Sequence, residues 1–310
     1  MADVQPLKTL RYEPDAVGGL EAVIAPPYDV IDDQDRARLL EKSPFNVVEI
    51  DLPQSANGGD PYSHAREKLD EWREEGVVIR ESEPALWALQ QEYTAPDGER
   101  RTRRGFFARV RVEDYGAGRI RPHERTHPGP KEDRLRLTRA TRANLSPIFS
   151  LFPDPDDAAE QALARATDEP PFATASDQDG TRNTLWRIGE PEQIAELQGA
   201  LAAAELLIAD GHHRYETART YAEEIGGKGE HSYVLMFLVS LSDPGLTVFP
   251  THRLLDNLKD SAVQEKLGSA LKRDFDVERI EADELEPPPP GAGGQVASAT
   301  WTATSSSRSG

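Results

Sequence analysis

The chain has no cysteine among its 310 residues. Disulfide bonds, thiol catalysis and cysteine-ligated zinc are therefore excluded. Long apolar runs are missing too: the longest nearly unbroken one, over residues 233–241, is far too short to span a bilayer and is typical of a buried strand. The N-terminus lacks the basic start and apolar stretch of a signal peptide, so we expect a cytoplasmic protein that does not bind membranes.

Positive charge is scarce overall but concentrated in one segment. The chain carries 36 Lys and Arg against 55 Asp and Glu, a net charge of −19, which would repel nucleic acid. Residues 100–142, however, contain 14 Lys and Arg and only 5 Asp and Glu. This basic island suits a small, multiply charged anion better than a polymer. Alternatively, its arginines form ion pairs with the acidic majority.

Residue patterns predict an alternation of strands and helices, and so an α+β or mixed α/β class. Asp32 and the pair Asp60-Pro61 are typical helix starts. We predict helices over 32–42, 60–76, 131–143, 157–166, 191–204, 215–224 and 261–273, with a loop over 116–130. We predict strands over 21–25, 46–51, 147–152, 205–209 and 233–241, a hairpin over 85–112 and a second one around 177–180.

The composition changes abruptly after Leu285. Four prolines, clustered glycines and a Ser/Thr/Ala-rich end bury too little apolar surface to become ordered. We therefore expect a single mixed α/β domain over residues 1–285 and a disordered tail over 286–310.

The most informative stretch is Asp210-Gly211-His212-His213-Arg214, which joins an apolar strand to a helix. A helix start presents free backbone N–H groups and the positive end of the helix dipole, and these attract phosphate. The glycine lets the backbone approach a ligand, and Arg grips phosphate with two parallel bonds. Asp210 can orient a histidine or hold a metal-bound water. Alternatively, it only caps the helix and the histidines are paired on the surface.

The loop over 116–130 combines His, Glu and Arg. Glu124 is our candidate general base, with His123 orienting it, and Arg125 can bind an anion. His123 and His127 are four residues apart, but the prolines around them oppose a helix, so we do not expect a zinc site from this spacing.

The helix predicted next supplies further cations. Lys131 and Arg134 are candidate phosphate ligands, and Arg136, Arg139 and Arg142 form a stripe at three-residue steps. The alternative is a solvated loop followed by a salt-bridged helix.

The third constellation is the turn that follows Pro26-Pro27. The double proline fixes a rigid turn that presents Tyr28 and Asp29. A purely structural turn is the commoner explanation of such a segment. Asp29 is our second candidate base, and Glu49 is the third.

These three stretches together resemble a known family. "APPYDVI", "HERT…PKEDRLRLTRATRANLSPIFSLF" and "IADGHHRYETA" are similar, in order and spacing over roughly residues 10–255, to the bacterial family named domain of unknown function 1015. Its members are often likened to the archaeal free-serine kinase and to the ParB/sulfiredoxin type of fold. The resemblance therefore implies a ParB/sulfiredoxin-like core in which residues 210–214 hold the phosphates of ATP or ADP. It also implies phosphotransfer, with Mg²⁺, to a small hydroxyl compound such as an amino acid. After Leu285 the chain departs from the family pattern.

Three functions stay open at this point. The first is a nucleotide-dependent small-molecule kinase, and the second is a nucleotide-binding switch without turnover. The third is a nucleic-acid-binding module, which the basic island permits and the net charge opposes. Walker and dinucleotide-binding glycine patterns are absent, which excludes the common nucleotide folds.

Overall fold

The computed structural model describes residues 2–55, 58–116, 119–124, 126, 128–248 and 260–276. The chain divides into two compact units, residues 1–248 and 249–310. The described strands are β1 (Val4–Gln5), β2 (Leu10–Tyr12), β3 (Val78–Arg80), β4 (Leu86–Thr94), β5 (Arg100–Arg111), β6 (Ile120–Arg121), β7 (Ile148–Phe152), β8 (Ala173–Ser176), β9 (Arg182–Ile188), β10 (Leu206–Asp210) and β11 (Tyr233–Ser240). The described helices of the first unit are α1 (Pro14–Val17), α2 (Asp33–Lys42), α3 (Val48–Asp51), α4 (Pro61–Glu74), α5 (Pro128–Thr141), α6 (Ala158–Thr167), α7 (Pro191–Ala200) and α8 (His212–Ile225), and the second unit contributes α9 (Ser261–Asp274).

A mixed sheet forms the centre of the first unit. Its strands lie in the order β6-β10-β7-β11-β5-β4-β9-β8, and β1 pairs with β5. β6 runs parallel to β10, and β7 runs parallel to β11, while the other pairs of this sheet are antiparallel. Because parallel strands end at the same edge of a sheet, the chain after β6 emerges beside the chain after β10. This topology brings two of the sequence motifs together.

Two apolar clusters hold the helices in place. In the larger one, alanines and leucines of α6 and α7 and the buried Tyr215 of α8 pack on sheet residues such as Phe106 and Phe152. In the second, Ala65, Leu69 and Trp72 of α4 pack together with Leu137 of α5. Full burial of one large apolar side chain contributes about 1.5–3 kcal/mol. These clusters therefore fix α5 and α8, the helices that carry the candidate site.

The two short strands predicted near the N-terminus are wrong. Residues 21–25 overlap a 3₁₀ turn, Leu20–Ala22, and residues 46–51 contain α3. The buried Asn46 explains both differences. Its side-chain amide donates to the carbonyls of Ala22 (2.8 Å) and Ile24 (3.0 Å), and its carbonyl oxygen accepts from the N–H of Val48 (3.1 Å). One side chain thus satisfies backbone groups that a strand partner would otherwise bond.

The remaining helices and strands of the prediction are confirmed, with ends shifted by a few residues. The segment predicted as a loop, residues 116–130, contains β6 and the first turn of α5. The α+β, mixed α/β class is confirmed. The ParB/sulfiredoxin-like assignment and the single domain over 1–285 stay predictions, and the tail over 286–310 lies outside the described residues. None of the described helices is both long and apolar enough to cross a membrane.

Candidate functional site

The segment after β6 contacts the start of α8. The backbone N–H of His123 donates to Nε2 of His212 (3.2 Å), and Nδ1 of His123 lies 2.7 Å from the carbonyl oxygen of Ile208. The two imidazole rings meet edge to face at 4.4 Å. The parallel pairing of β6 with β10 therefore assembles the second and first sequence motifs into one site, as far as the described residues extend.

His212, and not His123, is the histidine that contacts Glu124. Nδ1 of His212 lies 3.1 Å from Oε1 of Glu124, without the alignment of a hydrogen bond. The His212 side chain is 1% exposed and the Glu124 side chain 53%. Burial, together with the nearby His123, lowers the pKa of His212 below 6.5, so its ring is neutral at pH 7. Nδ1 of His123 lies against the Ile208 carbonyl, and the orienting role of His123 stays a prediction.

The tautomer of His212 decides whether His123, Glu124 and His212 can bind a metal ion. Since Nε2 accepts the His123 N–H, the neutral ring carries its proton on Nδ1, which faces Glu124. His123, Glu124 and His212 each bring one potential ligand atom within 4.8 Å of the others, and imidazole suits transition metals rather than Mg²⁺. A metal on Nδ1 would have to displace that proton and the Nε2 hydrogen bond. The contacts therefore favour a Glu–His pair over a metal centre.

The start of α8 has the geometry predicted for a phosphate site. Gly211 precedes the helix with a φ of 96°, in the left-handed region, and a Cβ there would lie 3.1 Å from Cζ of Arg214. No side chain among the described residues, Asp210 included, caps the helix. The Asp210 carboxylate is instead paired with Arg214, with its Oδ2 2.5 Å from Nη2. The capping interpretation of Asp210 is therefore wrong.

The third motif reaches the same helix through Tyr28. The guanidinium carbon of Arg134 lies 4.1 Å from the centre of the Tyr28 ring, and that of Arg214 lies 6.0 Å from it. Arg214 also donates to the carbonyl oxygen of Pro147. Asp29 follows Tyr28 in a 3₁₀ turn and is exposed. All three motifs thus meet around the first turn of α8. Their order and spacing along the sequence do not indicate this.

Two of the predicted phosphate ligands are already paired. Arg134 is 6% exposed, and its Nη1 donates to the carbonyl oxygen of Asp51 (2.6 Å) and lies 3.3 Å from its Oδ1. Nζ of Lys131 lies 3.0 Å from Oε2 of Glu216. Arg134 is therefore held by Asp51, and its role as a phosphate ligand stays a prediction, while Arg125 lies outside the described residues.

The ion-pair interpretation of the basic island is confirmed for most of its cations. The paired members of the island are Arg101, Arg104, Arg111, Arg119, Arg121, Lys131, Arg134, Arg136 and Arg139.

Glu49, the third candidate base, is ion-paired as well. Its carboxylate oxygens lie 2.7 Å from Nη2 of Arg36 and 2.7 Å from Nε2 of His64.

Glu216 belongs to the site although the sequence patterns did not single it out. Its carboxylate accepts from the hydroxyl of Thr126 (2.8 Å) and so connects the loop to α8. Its position two residues after Arg214 is the sequence feature that could have indicated this.

Comparison with known proteins places the chain in a family. No curated protein and no solved structure gives a significant match. A family described as "Protein of unknown function (DUF1015)" matches residues 4–307, which extends beyond the 10–255 stretch that carries the resemblance. The match includes the segment after Leu285, so the expected departure from the family pattern there is not supported. Because this match covers nearly the whole chain, the protein belongs to the domain of unknown function 1015 family.

Proposed function

We propose that the protein binds ATP or ADP with its phosphates at the first turn of α8 and transfers a phosphoryl group to a small hydroxyl compound such as an amino acid. The observation that carries the proposal is the uncapped helix start at Gly211 beside the Glu124–His212 pair. A cytoplasmic location is part of the same proposal.

Each residue of the site has a distinct role in this reaction. Backbone N–H groups after Gly211 hold phosphate oxygens, and the dipole of α8 adds about half a positive charge. Glu124 takes the proton of the acceptor hydroxyl, whose oxygen then bonds to phosphorus while the bond to the nucleotide oxygen breaks. Mg²⁺, when bound, would neutralise phosphate charge. Asp210, which is half-exposed, would supply an oxygen ligand, and this would release Arg214 toward the phosphates.

A nucleotide-binding switch without turnover is the second candidate function. The pairing of Lys131 with Glu216 and of Arg134 with Asp51 favours it, because these cations are not free to stabilise a transferring phosphoryl group. The same pairing of the island argues against a nucleic-acid-binding module, which needs unpaired cations along a surface.

Millimolar ADP or ATP is expected to raise the melting temperature of the protein, by mass action on the folded state; at 100 times Kd the gain is about 2.7 kcal/mol. Gly211→Ala should lose most of this shift, because its backbone is left-handed and the new methyl group meets Arg214. Differential scanning fluorimetry measures both.

Gly226→Ala is the matched control. Gly226 follows the other end of α8 with a φ of 69°, and a methyl group added there would meet no other atom within 4 Å, so this variant shares the backbone strain without touching the site. Its nucleotide shift should equal that of the wild type. A wild-type protein that shows no shift with either nucleotide would rule out nucleotide binding.

A further inference from the structure

A cavity of about 370 Å³ lies beside the far part of α8 and the start of β11. Lys8, Arg80, Arg109 and Arg142 line it, and we call it the cationic cavity. None of the residues of the candidate site at the first turn of α8 lines it. The cationic cavity is therefore separate from the site of the proposed function.

The charge of the cationic cavity is opposite to that of the protein. Its four cationic side chains face one lining carboxylate, Glu230, whose Oε2 lies 2.9 Å from Nη2 of Arg80. The chain as a whole carries −19. Within the described part of the chain, no carboxylate pairs with Arg109 or Arg142. Unpaired cations gathered in a concave site attract anions.

Arg109 reaches the cavity from β5 with an unsatisfied donor. Its guanidinium carbon lies 4.7 Å from the centre of the Tyr233 ring, and its Nε is buried without a hydrogen-bond partner among the described residues. The hydroxyl of Thr9, another lining residue, is buried and unpartnered in the same way. Buried donors without acceptors are destabilising, so their presence beside the cavity calls for an explanation.

Arg142 occupies a backbone position that favours glycine. It follows α5 with a φ of 52°, in the left-handed region, and its N–H bonds the carbonyl of Thr138 (2.8 Å). The other two arginines of the α5 stripe are ion-paired: Arg136 with Asp60 and Arg139 with Glu224. A residue other than glycine or asparagine is uncommon at such a position, and Arg142 is one of the residues that line the cavity.

We propose that the cationic cavity binds a small polyanion that carries at least two phosphate or carboxylate groups. Arg109 and Arg142 would grip its oxygen atoms through their planar guanidinium groups, and Lys8 would add a point charge. The volume is at the lower end of the range for small-molecule sites and too small for a polymer. Tyr221 and Tyr233 supply aromatic wall for the rest of the ligand.

The test is isothermal titration calorimetry of the full chain with pyrophosphate and with citrate, against sodium chloride at matched ionic strength. At least one of the two anions should bind, and which of them binds tells phosphate from carboxylate ligands. Arg142→Gly should weaken that binding at least tenfold, yet leave the unliganded melting temperature unchanged or raised, since glycine relieves the left-handed backbone. Arg109→Gln should weaken binding as well.

Two controls make the result specific. Arg136→Gln, on the same helix but paired with Asp60, should bind like the wild type. Gly211→Ala, which blocks the first turn of α8, should also keep the affinity. Failure of both anions to bind would overturn the proposal, and so would wild-type affinity in Arg142→Gly. If Gly211→Ala alone lost binding, the anion would be bound at the first turn of α8, and the proposal would also be overturned.

Discussion

Replacement of Glu124 by glutamine is expected to lower the rate of phosphoryl transfer by about 10²–10⁴-fold, the usual contribution of a general base, and to leave nucleotide affinity essentially unchanged. Glutamine keeps the shape of the side chain beside His212 but cannot accept the hydroxyl proton. The activity is found by incubating the protein with ATP or ADP and a panel of amino acids and small alcohols, with phosphorus NMR as the readout. Calorimetry gives the affinity.

Glu132→Gln is the control for this variant. Glu132 is a carboxylate of α5 that is 62% exposed and lies 3.6 Å from Arg139, so its loss should change neither turnover nor affinity. Full activity in Glu124→Gln would contradict our assignment and leave the exposed Asp29 as the base. A wild-type protein that binds nucleotide but forms no product with any acceptor would favour the switch.

Local sequence signals predicted helix starts well. Asp32 and Asp60 were expected to cap helices, and their carboxylates accept from the N–H groups of Asp35 (2.8 Å) and Ser63 (2.9 Å). A cap acts within one turn, so four residues are enough to recognise it.

The two wrong strands show where local signals fail. The valines and isoleucine of residues 46–51 have strand composition, but Ile50 is buried in the cluster built by α4, and Asn46 bonds carbonyls more than 20 residues earlier in the chain. A short helix buries these side chains as well as a strand would. Only the long-range hydrogen bonds decide between the two, and composition does not contain them.

The candidate site was predicted in its parts but not in its pairing. The right motifs were found, yet the choice between His123 and His212 as the partner of Glu124 depends on the register of β6 with β10, which aligns Ile120 with Leu206. Long-range contacts also decide which cations of the site are free to bind a ligand. Arg134 is paired with a carboxylate 83 residues away, and no property of its own helix indicates that.

Replacement of Arg134 by alanine is expected to lower the free energy of unfolding by about 3–5 kcal/mol, the range for breaking a buried ion pair. The Asp51 side chain is 12% exposed and would lose its cation, while the backbone carbonyl of Asp51 would lose its donor. The Tyr28 ring would lose the guanidinium that stacks on it at 4.1 Å. Urea unfolding, followed by circular dichroism, measures the change.

The loss should depend on pH in a defined direction. Burial raises the pKa of Asp51 above 3.8, although the Ser146 hydroxyl and Arg134 act against the rise. A carboxyl group with a raised pKa binds more protons in the folded state, so its contribution to stability falls as the pH rises from its unfolded toward its folded pKa. Without Arg134 the pKa of Asp51 in the folded state rises further, so the pH range over which this contribution to stability falls becomes wider. The destabilisation of Arg134→Ala should therefore be larger at pH 7 than at pH 4.

Arg136→Ala separates this effect from a general loss of charge on α5. Its ion pair with Asp60 is exposed on both sides, at 53% and 44%, so its removal should cost only about 0–1 kcal/mol and show no comparable pH dependence. Equal losses for the two variants would contradict a buried pair at Asp51. A loss in Arg134→Ala that does not change between pH 4 and pH 7 would mean that the Tyr28 stacking and the carbonyl contact, and not the Asp51 charge, hold Arg134 in place.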